Sequence, residues 1–450
     1  MDENIVDKER NENPVKDTYK FVFFAFAFLG SCTLLPWNFF ITATTYFQFR
    51  LRTNKSETEI DFLNLNDLQV SYPNQMALFS MIPLALTNIT NLIIKDKING
   101  SFRIIVGNML LLLMFTLTVI LVGVDISDKV FLGITFISIM LINIGSALFQ
   151  GSIMGVLGMM PGNYIGIFFQ GQAVAGIFTA LVSIILAPFN ITEIQKGALF
   201  FSVPILFSIL AFVIYYGLNK SEFYLHHMRK ANFEPSFFNL KKNDLKNNEE
   251  QSLLNNENGT VPQEAGHNII KKFLCNMKEV LYFGLGAFFT LCFTLAVFPS
   301  LLVLIKPMNY SKTDPWTQTY FLLVVIFLSF NLNDYFGRFL ATQIQWPKPR
   351  SKRLLLGLVL SRGALVILIL FFNQTQKKYI PTIFYHDAWL IVFVIIFGLS
   401  NGYLLNLCFM YAPTSCTPGN EEAAGVAMSI YLSIGLGIGV SISFVLQAIL

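Results

Sequence analysis

Charge is what this sequence has least of. Asp, Glu, Lys and Arg together make up 13% of 450 residues, about half the share of an ordinary soluble domain. That shortage excludes a surface built for water on every side. The mean hydropathy of +0.58 points to lipid as the solvent. Histidine is rarer still: of the four, His226 and His227 adjoin, and the set has no metal-cluster spacing. Five cysteines at 32, 275, 292, 408 and 416 are too scattered for a disulfide framework or a zinc ligand set. No phosphate-cradling glycine loop is present, so ATP-driven chemistry has no motif. Residues 1–19 hold no apolar stretch and no cleavage site, and are expected to form a polar tail rather than a signal peptide.

Long apolar runs, by contrast, are plentiful, and Phe alone contributes 46 residues. Eleven runs are long enough to cross a hydrocarbon core of ~30 Å as helices. They lie at roughly 20–47, 73–94, 103–124, 130–157, 163–188, 197–217, 278–304, 317–341, 354–372, 386–411 and 421–449. Barrel strands would alternate instead. With the N-terminus inside, 20 of the 31 Lys and Arg fall in cytoplasmic segments and 9 outside, which orients the chain with its C-terminus out. The expectation is an all-α integral membrane protein. A tail (1–19) leads into a six-helix bundle (20–217), a cytoplasmic loop too polar to fold (218–277) and a five-helix bundle (278–450). The sequon Asn54-Lys55-Ser56 then lies in an outer loop, as a glycan acceptor.

Against this apolar background the stretch Phe327 to Arg338, FLSFNLNDYFGR, stands out. Asp334 and Arg338 share a helix face, and Phe327 and Asn331 extend the same stripe. A charge at bilayer depth costs ~2.5 to 3.5 kcal/mol on insertion scales, so such a stripe faces a bundle interior or a wet cavity. A structural ion pair locking two helices is the other reading. In the first span Pro36 stands mid-run beside Trp37 and Asn38, which bring a flat face and an amide. Met81, Leu84 and Asn88 line one stripe of the second span, and Asn143, Ser146 and Gln150 one stripe of the fourth. Core packing accounts for the methionine of the first stripe better than a planar ligand does, and interhelical hydrogen bonds account for the second as well as a ligand does. Gly171, Ala175, Gly176, Gly435 and Gly439 read as close-packing faces. Arg362, beyond Lys352 and Arg353, is expected to snorkel to the inner surface. Aromatic and thioether faces, amides, an acid and a base on separate helices suit a ligand with a flat ring at one end and vicinal hydroxyls at the other. A nucleoside has that form.

At these residues the chain resembles the equilibrative nucleoside transporter family. The match is carried by Leu34–Phe40 (LLPWNFF), Gln150–Ser152 (QGS) and Phe330–Arg338 (F-N-x-x-D-x-x-G-R). It continues in His386–Trp389 (HDAW), Ser400–Tyr403 (SNGY) and Glu421–Gly425 (EEAAG), and covers the chain from residue 20 onward. The resemblance implies a major-facilitator-like 6+5 arrangement working by alternating access. It places Leu34, Trp37, Asn38, Met81, Leu84 and Gln150 toward the base of a nucleoside. Phe327, Asn331, Asp334 and Arg338 form the opposite wall, the last two toward the ribose. Phe298 and Pro299, with Ile41, become the outer gate. The implied substrates are purine and pyrimidine nucleosides such as adenosine and uridine. Membrane lipid is the other partner, and no cofactor, enzymatic activity or nucleic-acid binding is implied.

Three positions depart from the family's pattern. Cys32 occupies a position where relatives often have glycine, which suggests looser packing and access for thiol reagents. Ile41 and Ser146 replace a common methionine and an occasional glycine. Alternatives within the fold are an organic-cation or monoamine carrier, a nucleobase carrier, and proton coupling through Asp334. The expected location is the plasma membrane. An acidic dileucine form at Glu249–Leu254 (EEQSLL) makes an endolysosomal membrane the alternative.

Overall fold

The computed structural model describes residues 16–52, 66–94, 98–189, 191–230, 275, 277–311, 314–374, 379–418 and 420–450. Eleven long helical segments run through them. The first six are α1 (Phe21–Thr42), α2 (Asp67–Ile94), α3 (Gly100–Val122), α4 (Asp128–Gly158), α5 (Gly162–Leu186) and α6 (Glu193–Leu218). The remaining five are α7 (Leu281–Val297), α8 (Trp316–Gln343), α9 (Pro349–Phe371), α10 (Asp387–Tyr411) and α11 (Glu421–Ile449). Ten are long and apolar enough to cross a membrane, which makes this a multi-pass membrane protein. The exception is α2. At 28 residues it has the length, but it carries Pro73, Pro83 and a row of amides that lowers its hydropathy.

The chain departs from the sequence pattern at three places. The first apolar run is not one helix. It passes through Pro36, breaks at Ala43 (φ −75°, ψ 8°) and resumes as Thr44–Arg50. The first half of α8, Trp316–Tyr320 and Leu322–Leu328, is wound as π-helix before it tightens into α-helix at Ser329. The segment expected to be an unfolded loop from residue 218 begins with a helix, Glu222–Lys230. Tyr224 and Met228, four apart, bury one of its faces. Most of the remaining tail and loop, Asn54 and the dileucine stretch lie outside the described residues.

Helix pairing places the core. In the first six helices α1 packs on α5 and α3 on α4, and in the last five α7 packs on α11 and α8 on α10. Between these groups, α2 and α4 meet α11, and α5 meets α8 and α10. The glycine faces lie where backbones touch. A Cβ on Gly171 would come within 1.8 Å of the Ala27 carbonyl oxygen, and one on Gly435 within 2.4 Å of the Phe288 oxygen. Outward, Ile120, Ile137, Ile185, Leu206, Val213 and Ile367 are all more than half exposed, an apolar exterior suited to lipid.

Candidate substrate site

The polar stripe of α8 forms as its spacing predicts. Phe327, Asn331, Asp334 and Arg338 are all buried. Arg338 Nη2 meets Asp334 Oδ2 at 2.7 Å, an ion pair within one helix rather than a lock between two. Neither charge ends there. Asp334 Oδ1 accepts 2.6 Å from Asn401 Nδ2 on α10. That contact requires the two backbones to approach closely: a Cβ on Gly402 would lie 1.9 Å from the Asp334 carbonyl oxygen, and one on Gly337 2.2 Å from that of Leu399. Two glycines thus set the distance at which an amide reaches the carboxylate.

Arg338 points the other way, out of the last five helices. Its Nη1 donates to the Phe169 carbonyl of α5 at 2.7 Å and to Gln172 Oε1 at 3.3 Å. Gln172 in turn donates to Thr33 Oγ1 of α1 at 3.0 Å, and Ser146 of α4 donates to the Thr33 carbonyl at 3.0 Å. Arg338 Nε, buried, has no hydrogen-bond partner among the described residues. An orphaned charged donor in a dry interior is costly, so its position marks a place for an acceptor. Beside it Asn331 fits against α5 only because residue 176 is glycine, where a Cβ would sit 2.0 Å from Asn331 Oδ1. Gly176→Leu is therefore expected to push α5 from α8 and abolish uptake even where surface protein remains, as paired uptake and surface-biotinylation measurements would check.

Of the residues read from α1, α2 and α4, Trp37, Met81 and Leu84 gather into a second, apolar group. Met81 and Leu84 pack with Ala77 and Ala147, and with Leu295 of α7 and Val440 of α11, and half-buried Trp37 lies against them. Gln150 is buried and its amide makes no hydrogen bond to a described residue. Asn38 turns its Nδ2 back to the Leu34 carbonyl at 3.0 Å, which leaves its Oδ1 as the free acceptor. Leu34 is half-buried, and Ile41 and Pro299 are buried. Phe298, at the end of α7, stacks on Phe330 at 4.2 Å and meets the edge of Phe327 at 5.7 Å. The apolar group and the charged wall are joined through Thr33, one turn before Trp37.

Two sequence expectations are corrected. Arg362 does not snorkel. It is buried on α9 and all its donors are turned inward, because Thr290, Thr294, Phe397 and Ser400 offer oxygens there. Cys32 is 4% exposed, with its Sγ toward the Phe207 carbonyl of α6, so the glycine-to-cysteine change fills space rather than opening it. Burial, then Glu421 and Glu279, push the Cys416 thiol in the α10–α11 loop up to about 11. Maleimide at neutral pH is accordingly expected to label exposed Cys275 and to lose nearly all signal in Cys275→Ser, read by gel shift. The residues that sequence reasoning missed are Gln172, Thr294 and, as a ligand of Asp334, Asn401. Asn401 stands in the SNGY stretch and Gln172 directly follows Gly171, the two signals that could have found them.

Apolar helices in two packed groups, with a buried arginine of one group hydrogen-bonded to a carbonyl of the other, give the chain a fold like that of the major facilitator superfamily. A solved proton:xylose symporter of that superfamily has the same fold, with TM-score 0.54 and 12% identity over 94% of this chain and 88% of the other. The nucleoside transporter family profile matches residues 136–448. Equilibrative nucleoside transporter 1 of Rattus norvegicus is 34% identical over 96% of this chain and 98% of its own. The protein of that name from Homo sapiens is also 34% identical, over the same shares. The chain belongs to the nucleoside transporter family, a family of transporters and not of enzymes.

Proposed function

We propose that this protein is a facilitative carrier that moves purine and pyrimidine nucleosides, adenosine and uridine among them, down their gradients by alternating access. The observation that carries the reading is the buried Arg338 Nε left without an acceptor, on a guanidinium that pairs with Asp334 in its own helix and reaches the Phe169 carbonyl of the other helix group. A ribose hydroxyl offers both what this donor lacks and what Asp334 can accept. The base then belongs against Trp37, Met81 and Leu84, with Gln150 and Asn38 reading its edge and Leu34 closing the side. Phe327 and Asn331 complete the opposite wall, and Ile41, Phe298 and Pro299 form the outer gate. In this reading residues 20–217 and 278–450 rock as two bodies. The N-terminus is cytoplasmic, the C-terminus and Asn54 face outward with Asn54 glycosylated, and the plasma membrane is the location.

Radiolabelled adenosine and uridine uptake in cells lacking their own nucleoside carriers tests it. Saturable uptake with trans-stimulation is expected. Gln150→Ala should raise the half-saturation concentration by about tenfold, the scale of one hydrogen bond in a dry site. Native protein present at the surface that moves neither nucleoside would refute the assignment.

A further inference from the structure

Arg362 lies on α9, outside the stripe of α8, yet its guanidinium is oriented toward the same carboxylate. Nη2 donates to Thr294 Oγ1 at 3.0 Å, Thr294 Oγ1 lies 2.7 Å from Asn401 Oδ1, and Asn401 Nδ2 donates to Asp334 Oδ1 at 2.6 Å. With the Thr294 proton on Asn401 Oδ1 rather than on the Thr290 carbonyl, its other acceptor at 2.8 Å, every donor in this row faces Asp334 and each bond polarises the next. The guanidinium itself cannot turn away. Nε is tied to Ser400 Oγ at 3.1 Å, Nη1 to the Thr290 carbonyl at 2.8 Å and Nη2 also to the Phe397 carbonyl at 3.3 Å, with the Phe397 ring 4.9 Å beneath it. A buried cation need not be arranged this way merely to hold α9, since carbonyls alone would satisfy it.

We infer that Arg362 is a positioning residue for substrate recognition. Through Thr294 and Asn401 it fixes the Asp334 carboxylate, with Oδ1 held by Asn401 and Oδ2 by Arg338, in the orientation that receives a sugar hydroxyl. The inference rests on the nucleoside reading above. Arg362 touches no substrate. Its effect falls on the hydroxyl-bearing end of the ligand and leaves the base end unchanged. A residue that only packed α9 against α7 and α10 would lower the amount or turnover of carrier for every substrate alike.

The test is uptake of uridine and 2′,3′-dideoxyuridine, at matched surface expression, by the native chain and by Arg362→Met, Arg362→Lys and Thr294→Val. The native chain is expected to prefer uridine. Arg362→Met should reduce that preference by about tenfold, the size of one hydrogen bond to a charged group, through the half-saturation concentration for uridine alone. Arg362→Lys, which restores a donor and a charge, should keep most of the preference. If Arg362→Met fails to reach the surface, Thr294→Val decides, because it removes the relay hydroxyl at nearly constant volume. An unchanged uridine preference with a lower maximal rate overturns the inference while leaving the transport reading intact. Native protein that takes up neither nucleoside overturns both.

Discussion

Arg338→Met is expected to destabilise the protein by about 3 to 5 kcal/mol and to abolish saturable uptake, because it strands a buried carboxylate. Asp334 is 3% exposed, and its remaining direct partner is the neutral amide of Asn401. The α5 carbonyl of Phe169 loses its donor in the same step. Thermal melting in detergent, followed by the monodisperse fraction, measures the first effect, and uridine flux into proteoliposomes the second. The double variant Asp334→Leu/Arg338→Met separates them. Two apolar side chains of similar bulk in place of the pair are expected to recover most of the melting temperature and none of the transport. A single variant that melts like the native chain would mean that water reaches the pair in the resting structure.

The second large effect belongs to a residue with no side chain. Gly402→Val places a Cβ where the Asp334 carbonyl oxygen and the Arg338 amide nitrogen already stand, at 1.9 and 2.9 Å. Neither is the end of a flexible group that could move aside, so α10 must back away from α8. The cost is expected to exceed the ~1 to 3 kcal/mol of ordinary core overpacking, with little folded protein recovered by size exclusion. Gly357→Val on α9 is the control. Nothing lies within 4 Å of the position its Cβ would take, and its melting temperature should stay near the native value. Equal losses in both variants would show that helix propensity, not the α8–α10 contact, sets the outcome.

The spans were legible because bilayer thickness imposes a length on apolar runs, and ten of eleven satisfy it as helices. The exception, α2, is instructive. Its amides are spent on other helices, Asn88 on Ser433 of α11 at 2.6 Å and Asn74 on Gln447, and this lowers its hydropathy without removing it from the bundle. The α8 stripe was legible for a different reason, since positions three and four apart on one helix share a face whatever surrounds them. The partners of that stripe were not. Asn401 lies 67 positions from Asp334 and Gln172 lies 166 from Arg338, and no periodicity in one chain reports which remote helix arrives opposite. Arg362 was misread because the charges preceding it in sequence, Lys352 and Arg353, are basic, whereas its neighbours in space are oxygens. The helix Glu222–Lys230 was missed because nine residues with a polar exterior are too few to show a pattern.

Together Asp334, Arg338 and Arg362 give the last five helices two buried guanidinium groups and one buried carboxylate. That region holds a surplus positive charge that no described contact neutralises, and a low-dielectric surround lets its potential extend well beyond the side chain. A protonated amine entering the site would climb this potential, whereas an uncharged sugar–base compound would meet it as a field that orients its hydroxyl dipoles. On the proposed reading of the site, the arrangement selects by electrical valence before it selects by shape, and weighs against organic cations as cargo. Since the surplus charge belongs to the protein, a neutral cargo adds no charge to the transport step, and the membrane voltage then has no purchase on the position of the concentration equilibrium.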